Sequence, residues 1–259
     1  MSQFFCLREL LPIRPTLCSG TLRLVRLMAN CSERAYGIDT GAPWGCEVHD
    51  ISVEDAEATV FLNEEFAVVA FRGSEFTWRD WFRNFLARPV RFPYGTVHQG
   101  FLQAFSLLDG PIESLLREHL SEGLPIIATG HSQGGSNATL FADKYSDYPN
   151  THLITFGSPR VGDAKFARFM NAALYGRHLR IMHSNDIVPR VPHFFLSSRP
   201  QRFKHCGLPI LLKEDGSWLV NPSTLRSSQA RLADFKLDML RDHQMSAYRQ
   251  SLSRSWQWV

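Results

Sequence analysis

The chain has 259 residues, with 28 basic side chains against 25 acidic ones and a net charge of +3. That length supports one domain with a sizeable core, and no linker-like stretch divides it. The near balance of charge, free of blocks of one sign, does not call for nucleic acid, and no apolar run approaches the roughly eighteen residues that a membrane span needs.

Met1 to Gly20 contains Phe4, Phe5, Leu10 and Leu11, but Arg8, Glu9, Pro12, Arg14 and Pro15 interrupt the apolar core of any signal peptide. Residues 1–22 read as an extension of unknown role and 23–259 as a single domain. A first helix is expected to end around residues 27–36. The runs Ala58 to Leu62 and Ala67 to Phe71 face each other across Asn63-Glu64-Glu65 as a β-hairpin. Between them and the next segment, Trp78, Trp81, Phe82 and Phe85 fall at i, i+3, i+4 and i+7, one aromatic face opposed by Arg79, Asp80 and Arg83. Phe101 to Leu120 carries apolar residues at helical spacing, and Gly110-Pro111 is expected to break or restart that helix.

The apolar run Leu124 to Ala128 then leads into Gly130-His131-Ser132-Gln133-Gly134-Gly135 and a helix-like stretch from about Ser136 to Tyr145. Strand, sharp turn and helix in that order are the grammar of a nucleophile elbow, whose glycines let strand and helix approach closely and whose serine is held in a strained conformation. Ser132 is the candidate nucleophile. A strand at 152–156, a helix from about Asp163 to Leu174, a strand at 179–182 and a helical tail from about Gln229 to Tyr248 follow. Strands alternating with helices imply right-handed crossovers and an α/β fold with a mostly parallel central sheet flanked by helices.

A serine hydroxyl needs a base, and the base needs an acid that fixes its tautomer. In proteins built around such an elbow the chain order is serine, acid, histidine, which leaves His193, His205 and His243 as bases. Asp163 sits where a helix cap is expected, whereas Asp186 lies at the carboxyl end of a strand, where catalytic groups of open sheets collect. Asp186 is preferred. His193 is too near Asp186 in sequence to come from a separate loop and His205 sits in a strand-like run, so His243, at the entry to the last helical segment, is the preferred base. Two oxyanion donors are expected: the backbone N–H of Gln133 and, after the strand ending at Phe71, Ser74. Five cysteines, Cys6, Cys18, Cys31, Cys46 and Cys206, are an odd count without metal-ligand spacing, so free thiols and no metal are expected.

With these residues assembled, the sequence resembles the class 3 lipases, the α/β-hydrolase family that includes fungal triacylglycerol lipases and feruloyl esterases. Besides the elbow, the resemblance rests on Val69 to Ser74, Val97 to Phe101, Thr155 to Gly162 and Asn185 to Pro189, in the family's order. It runs from about Tyr36 to Tyr248. It implies nucleophile, acid and base at Ser132, Asp186 and His243 and an oxyanion residue at Ser74. It also implies that the aromatic segment carrying Trp78, Trp81, Phe82 and Phe85 is a lid over an acyl pocket, in transient contact with a lipid interface, against the alternative of a plain core helix. Gln133 replaces the leucine common after the family's nucleophile, and the cysteines do not match the disulfides of secreted fungal members.

The expected function is a cofactor-free serine hydrolase for carboxylic esters, with glycerolipids or small esters as substrate. A short-chain or aryl esterase and an acyltransferase would use the same triad, and a non-catalytic lipase-like binding module would show a broken one. The cysteines and absent signal point to the cytoplasm, with export lacking a recognisable signal as the alternative.

Overall fold

The computed structural model describes residues 18–42, 45–73, 88–184, 186–190, 203–222 and 241–255. Helix α1 (Ser19–Arg34) precedes the strands β1 (Glu47–Val53), β2 (Ala56–Leu62), β3 (Ala67–Phe71), β4 (Pro89–Phe92) and β5 (Gly95–His98). Then come α2 (Gln99–Ser121), β6 (Ile126–His131), α3 (Gln133–Lys144), β7 (Thr151–Phe156), α4 (Ala164–Ala173), β8 (His178–His183), β9 (Leu208–Leu212), β10 (Trp218–Val220) and α5 (Met245–Arg254). Eight strands form one sheet in the order β1-β2-β3-β6-β7-β8-β9-β10, and β4 pairs with β5 apart from it. The five from β3 to β9 run parallel, with antiparallel strands at both edges.

β3, β6, β7 and β8 are buried along their whole length. Their near-continuous apolar runs reflect cover on both faces. Alternation divides each strand between two cores. Val69, Phe71, Ile126, Ala128 and Leu153 pack with α2, α3 and α4, while Val68, Ala70, Ile127, Ile154 and Phe156 pack with α1 and α5. α1 starts inside the stretch read as an extension, where Thr21 is already buried and Leu22 belongs to the second core.

The expected break at Gly110-Pro111 does not occur, and α2 runs through Pro111. Proline inside a helix costs about 3 kcal/mol, but Phe101, Phe105, Leu108, Ile112 and Leu116 lie buried on one face of this helix, and burial of each contributes about 1.5–3 kcal/mol. Tertiary packing therefore wins. His98 caps the helix, its Nδ1 accepting from the Gly100 N–H at 3.2 Å. Of the run expected as a strand up to His205, the described residues contribute one bridge, between Lys204 and Gly162. Within the expected helical tail, the described part is a turn followed by α5, which continues to Arg254.

Near the end of α3, burial and then the neighbouring Asp147 push the Asp143 carboxyl up to about 7. A carboxyl whose folded pKa exceeds its unfolded value supports folding while protonated, and that support is lost as pH rises towards 7. Asp143→Asn is therefore expected to stabilise the protein by about 1–2 kcal/mol at pH 8, allowing for partial exposure, and to have no effect near pH 3. Thermal melts of both proteins at the two pH values check this; equal differences at both would refute it.

Candidate active site

Parallel pairing brings the carboxyl ends of four strands into line: Phe71 lies beside Gly130, His131 beside Phe156, and Phe156 beside Ile181. Ser132 leaves β6 at φ 57°, ψ −128°, and α3 starts one residue later. Such a conformation is strained for a residue with a Cβ and is held by its surroundings. The Ser132 N–H donates to the Phe156 carbonyl and the Gly135 N–H to the Ser132 carbonyl, both at 3.0 Å. A Cβ on Gly130 would lie 2.4 Å from the Gly134 backbone, and one on Gly134 only 2.1 Å from the Phe71 oxygen. Only glycines close this turn.

Three chain segments converge on the serine. His243 Nε2 lies 2.9 Å from Ser132 Oγ, and its Nδ1 lies 3.0 Å from both Asp186 oxygens. The carboxylate can only accept, so Nδ1 carries the proton and Nε2 is left as the acceptor for the serine hydroxyl. Asp186 is held by two further donors, the Val188 N–H at 2.9 Å and the Tyr248 hydroxyl at 2.6 Å. Tyr248 is itself fixed because its oxygen accepts from the His183 N–H at 3.1 Å. Gly157 lets the carboxylate approach: at φ +56°, an added Cβ would stand 2.7 Å from Asp186 Oδ2 and 3.2 Å from His243 Nδ1. Ser132 and Asp186 are buried, and the His243 side chain is only 13% exposed.

Two competing assignments, Asp163 and His205, fall away on geometry. Both oxygens of Asp163 are engaged elsewhere, capping α4 through the Lys165 and Phe166 N–H groups and bonding Thr96. His205 is half-buried behind the acid loop, with Nε2 donating to the Pro189 carbonyl. His193 lies outside the described residues. So do Ser74 and the aromatic residues Trp78, Trp81, Phe82 and Phe85. Gln133 is the first residue of α3, with its backbone at the positive end of the helix dipole. The chain leaving β3 reaches the nucleophile at Gly73, where an added Cβ would lie 3.2 Å from Ser132 Cβ.

Sequence reasoning missed the residues that hold the triad. His131, next to the nucleophile, has Nε2 2.6 Å from the His243 carbonyl and Nδ1 2.9 Å from the Tyr36 hydroxyl. Burial, and then the neighbouring His243, hold its pKa well below the usual histidine range. Tyr248 and His183 come from elements whose partnership no local pattern announces. Gly157 was visible in the Thr155-Phe156-Gly157-Ser158-Pro159 run without its role being legible.

Among the described residues no group of three His, Cys, Asp or Glu is placed to hold a metal, and no helix is long and apolar enough to cross a membrane. Cys18, Cys31, Cys46 and Cys206 carry free thiols, with burial raising Cys46 to about 11 and Cys206 to about 12.

A family model described as Lipase (class 3) matches residues 68–196. The chain is 30% identical over 162 residues to secreted mono- and diacylglycerol lipase A of Penicillium cyclopium, covering 59% of this chain and 52% of that protein. It is 30% identical over 164 residues to a lipase of Rhizomucor miehei, covering 58% and 43%. The chain thus spans about half the length of the curated relatives it matches. Among solved structures, a variant of MDLA from Penicillium cyclopium superposes with a TM-score of 0.73 at 20% identity, covering 93% of this chain and all of that one. The Rhizomucor miehei triacylglyceride lipase superposes with a TM-score of 0.63 at 25% identity, covering 78% and 84%. The architecture is that of the α/β-hydrolases.

Proposed function

The chain belongs to the class 3 lipase family, and from that premise we propose that it is a carboxylic ester hydrolase acting on glycerolipids through Ser132, His243 and Asp186. The observation that carries this reading is the unbroken hydrogen-bond relay from Ser132 Oγ through His243 to Asp186. His243 Nε2 takes the serine proton as Oγ attacks the ester carbonyl, and the resulting imidazolium returns that proton to the leaving alcohol. Water then attacks the acyl-serine with the same base. Asp186 stays ionised throughout, its charge met by Val188, Tyr248 and His243. The oxyanion is assigned to the Gln133 N–H and to Ser74.

Glycerolipids are preferred as substrate because relatives carry names such as mono- and diacylglycerol lipase and triacylglycerol lipase. Export is likewise the location supported by a relative's name, and the cytoplasmic expectation has no such support. The domain reading is one hydrolase unit after an N-terminal extension, with the core-bearing part beginning by Ser19.

The test is hydrolysis of p-nitrophenyl esters from acetate to palmitate, below and above the critical micelle concentration, with fluorophosphonate labelling alongside. The expected result is turnover and a single covalent adduct on the peptide carrying Ser132. A rate jump above the micelle threshold is the sign expected if Trp78, Trp81, Phe82 and Phe85 form a lid. No hydrolysis at any chain length and no adduct would overturn the enzyme reading in favour of a binding module.

A further inference from the structure

Two imidazoles reach the consecutive backbone carbonyls that flank the Cα of His243, the proposed base. His131 Nε2 lies 2.6 Å from the carbonyl of His243, and His183 Nδ1 lies 3.2 Å from the carbonyl of Asp242. A carbonyl can only accept, so His131 must carry its proton on Nε2 and His183 on Nδ1. The second nitrogen of each ring has a matching donor: Tyr36 hydroxyl to His131 Nδ1 at 2.9 Å, and Ser251 hydroxyl to His183 Nε2 at 2.9 Å. Both rings are buried, with exposures of 5% and 2%, and each packs against the aromatic ring of Tyr248. The His131 ring also lies against the His243 ring, with centroids 4.5 Å apart.

We propose that His131 and His183 are positioning residues, which clamp the consecutive carbonyls of Asp242 and His243 and so fix the height and tilt of the base above Ser132. The two histidines come from the ends of β6 and β8, which belong to the buried sheet, so the clamp refers the base to the same rigid frame that carries the nucleophile. Opposite tautomers are built into the arrangement. This inference rests on the triad reading, because the clamped residue is the proposed base.

The opposite tautomers give a test that a purely packing role would not reproduce. A glutamine amide nitrogen falls near the Nε2 position of histidine and an asparagine amide nitrogen near Nδ1, so each can replace only one donor. In the full chain, His131→Leu is expected to lower kcat about tenfold or more with KM changed less than about twofold, because small misplacements of a catalytic group are costly. His131→Gln should recover most of that loss and His131→Asn little. At His183 the order should invert, with Asn restoring kcat and Gln failing. Equal behaviour of Asn and Gln at both positions, in proteins that melt like wild type, would overturn the clamp. A readout independent of turnover is ring nitrogen NMR of the wild type, which should find His131 protonated on Nε2 and His183 on Nδ1; the reverse assignment at either ring would sink the proposal. Should the wild type fail to hydrolyse esters or take up fluorophosphonate, the functional reading fails while the NMR result still decides the clamp.

Discussion

Ser132→Ala is expected to lower kcat for p-nitrophenyl butyrate by about ten-thousand-fold to million-fold while leaving the melting temperature close to that of wild type. The size follows from removing the only atom that forms the covalent intermediate, which leaves substrate binding and the oxyanion donors as residual catalysts. The unchanged fold follows from the elbow itself. Alanine keeps the Cβ already accommodated at φ 57°, and the backbone bonds to Phe156 and Gly135 do not involve the hydroxyl. Residual activity above about 1% of wild type, after exclusion of contaminating esterase, would mean that another group attacks the ester.

Asp186→Asn should cost nearly as much, about ten-thousand-fold in kcat, for a different reason. The Val188 N–H fixes the remaining amide oxygen on one side, which turns the new NH2 towards His243 Nδ1 and the Tyr248 hydroxyl. The imidazole then carries its proton on Nε2 and presents a donor to Ser132 where an acceptor is needed. Folding should survive, because the amide fills the same space and the Tyr248 oxygen can accept. Steady-state kinetics with a melting curve on the same preparation decide the matter. A loss below about a hundredfold would show that Asp186 does not set the tautomer.

The chemistry was far more legible in the sequence than the scaffolding around it. The elbow announces itself because glycines at 130, 134 and 135 are dictated by contacts within a few residues or with the adjacent strand, and chain order narrows the base to three histidines, from which position in the predicted elements selects His243 as it selects Asp186 over Asp163. The hairpin of β2 with β3 and the buried parallel strands were readable from their apolar runs. β1 was not, since its polar residues Glu47, His49, Asp50 and Ser52 reflect an edge strand with partial exposure. β9 was hidden by Pro209 and β10 by its three-residue length. Pro111 misled because local propensity says nothing about the buried face that holds α2 together. The clamp and the Tyr248 contact to Asp186 join residues 59 to 112 positions apart, so no window along the chain contains them.

Asp186 and His243 stand 57 positions apart, yet both are secured by residues anchored in or against the central sheet: His131, His183, Val188 and Tyr248. Apart from Val188, these anchors lie outside the stretch that joins acid to base, so their register is set across the sheet more than along the chain. Substitutions at positions that touch none of these anchors leave the geometry of proton transfer in place. Descendants of one ancestral hydrolase could in this way acquire new substrate preferences while inheriting the reaction unchanged.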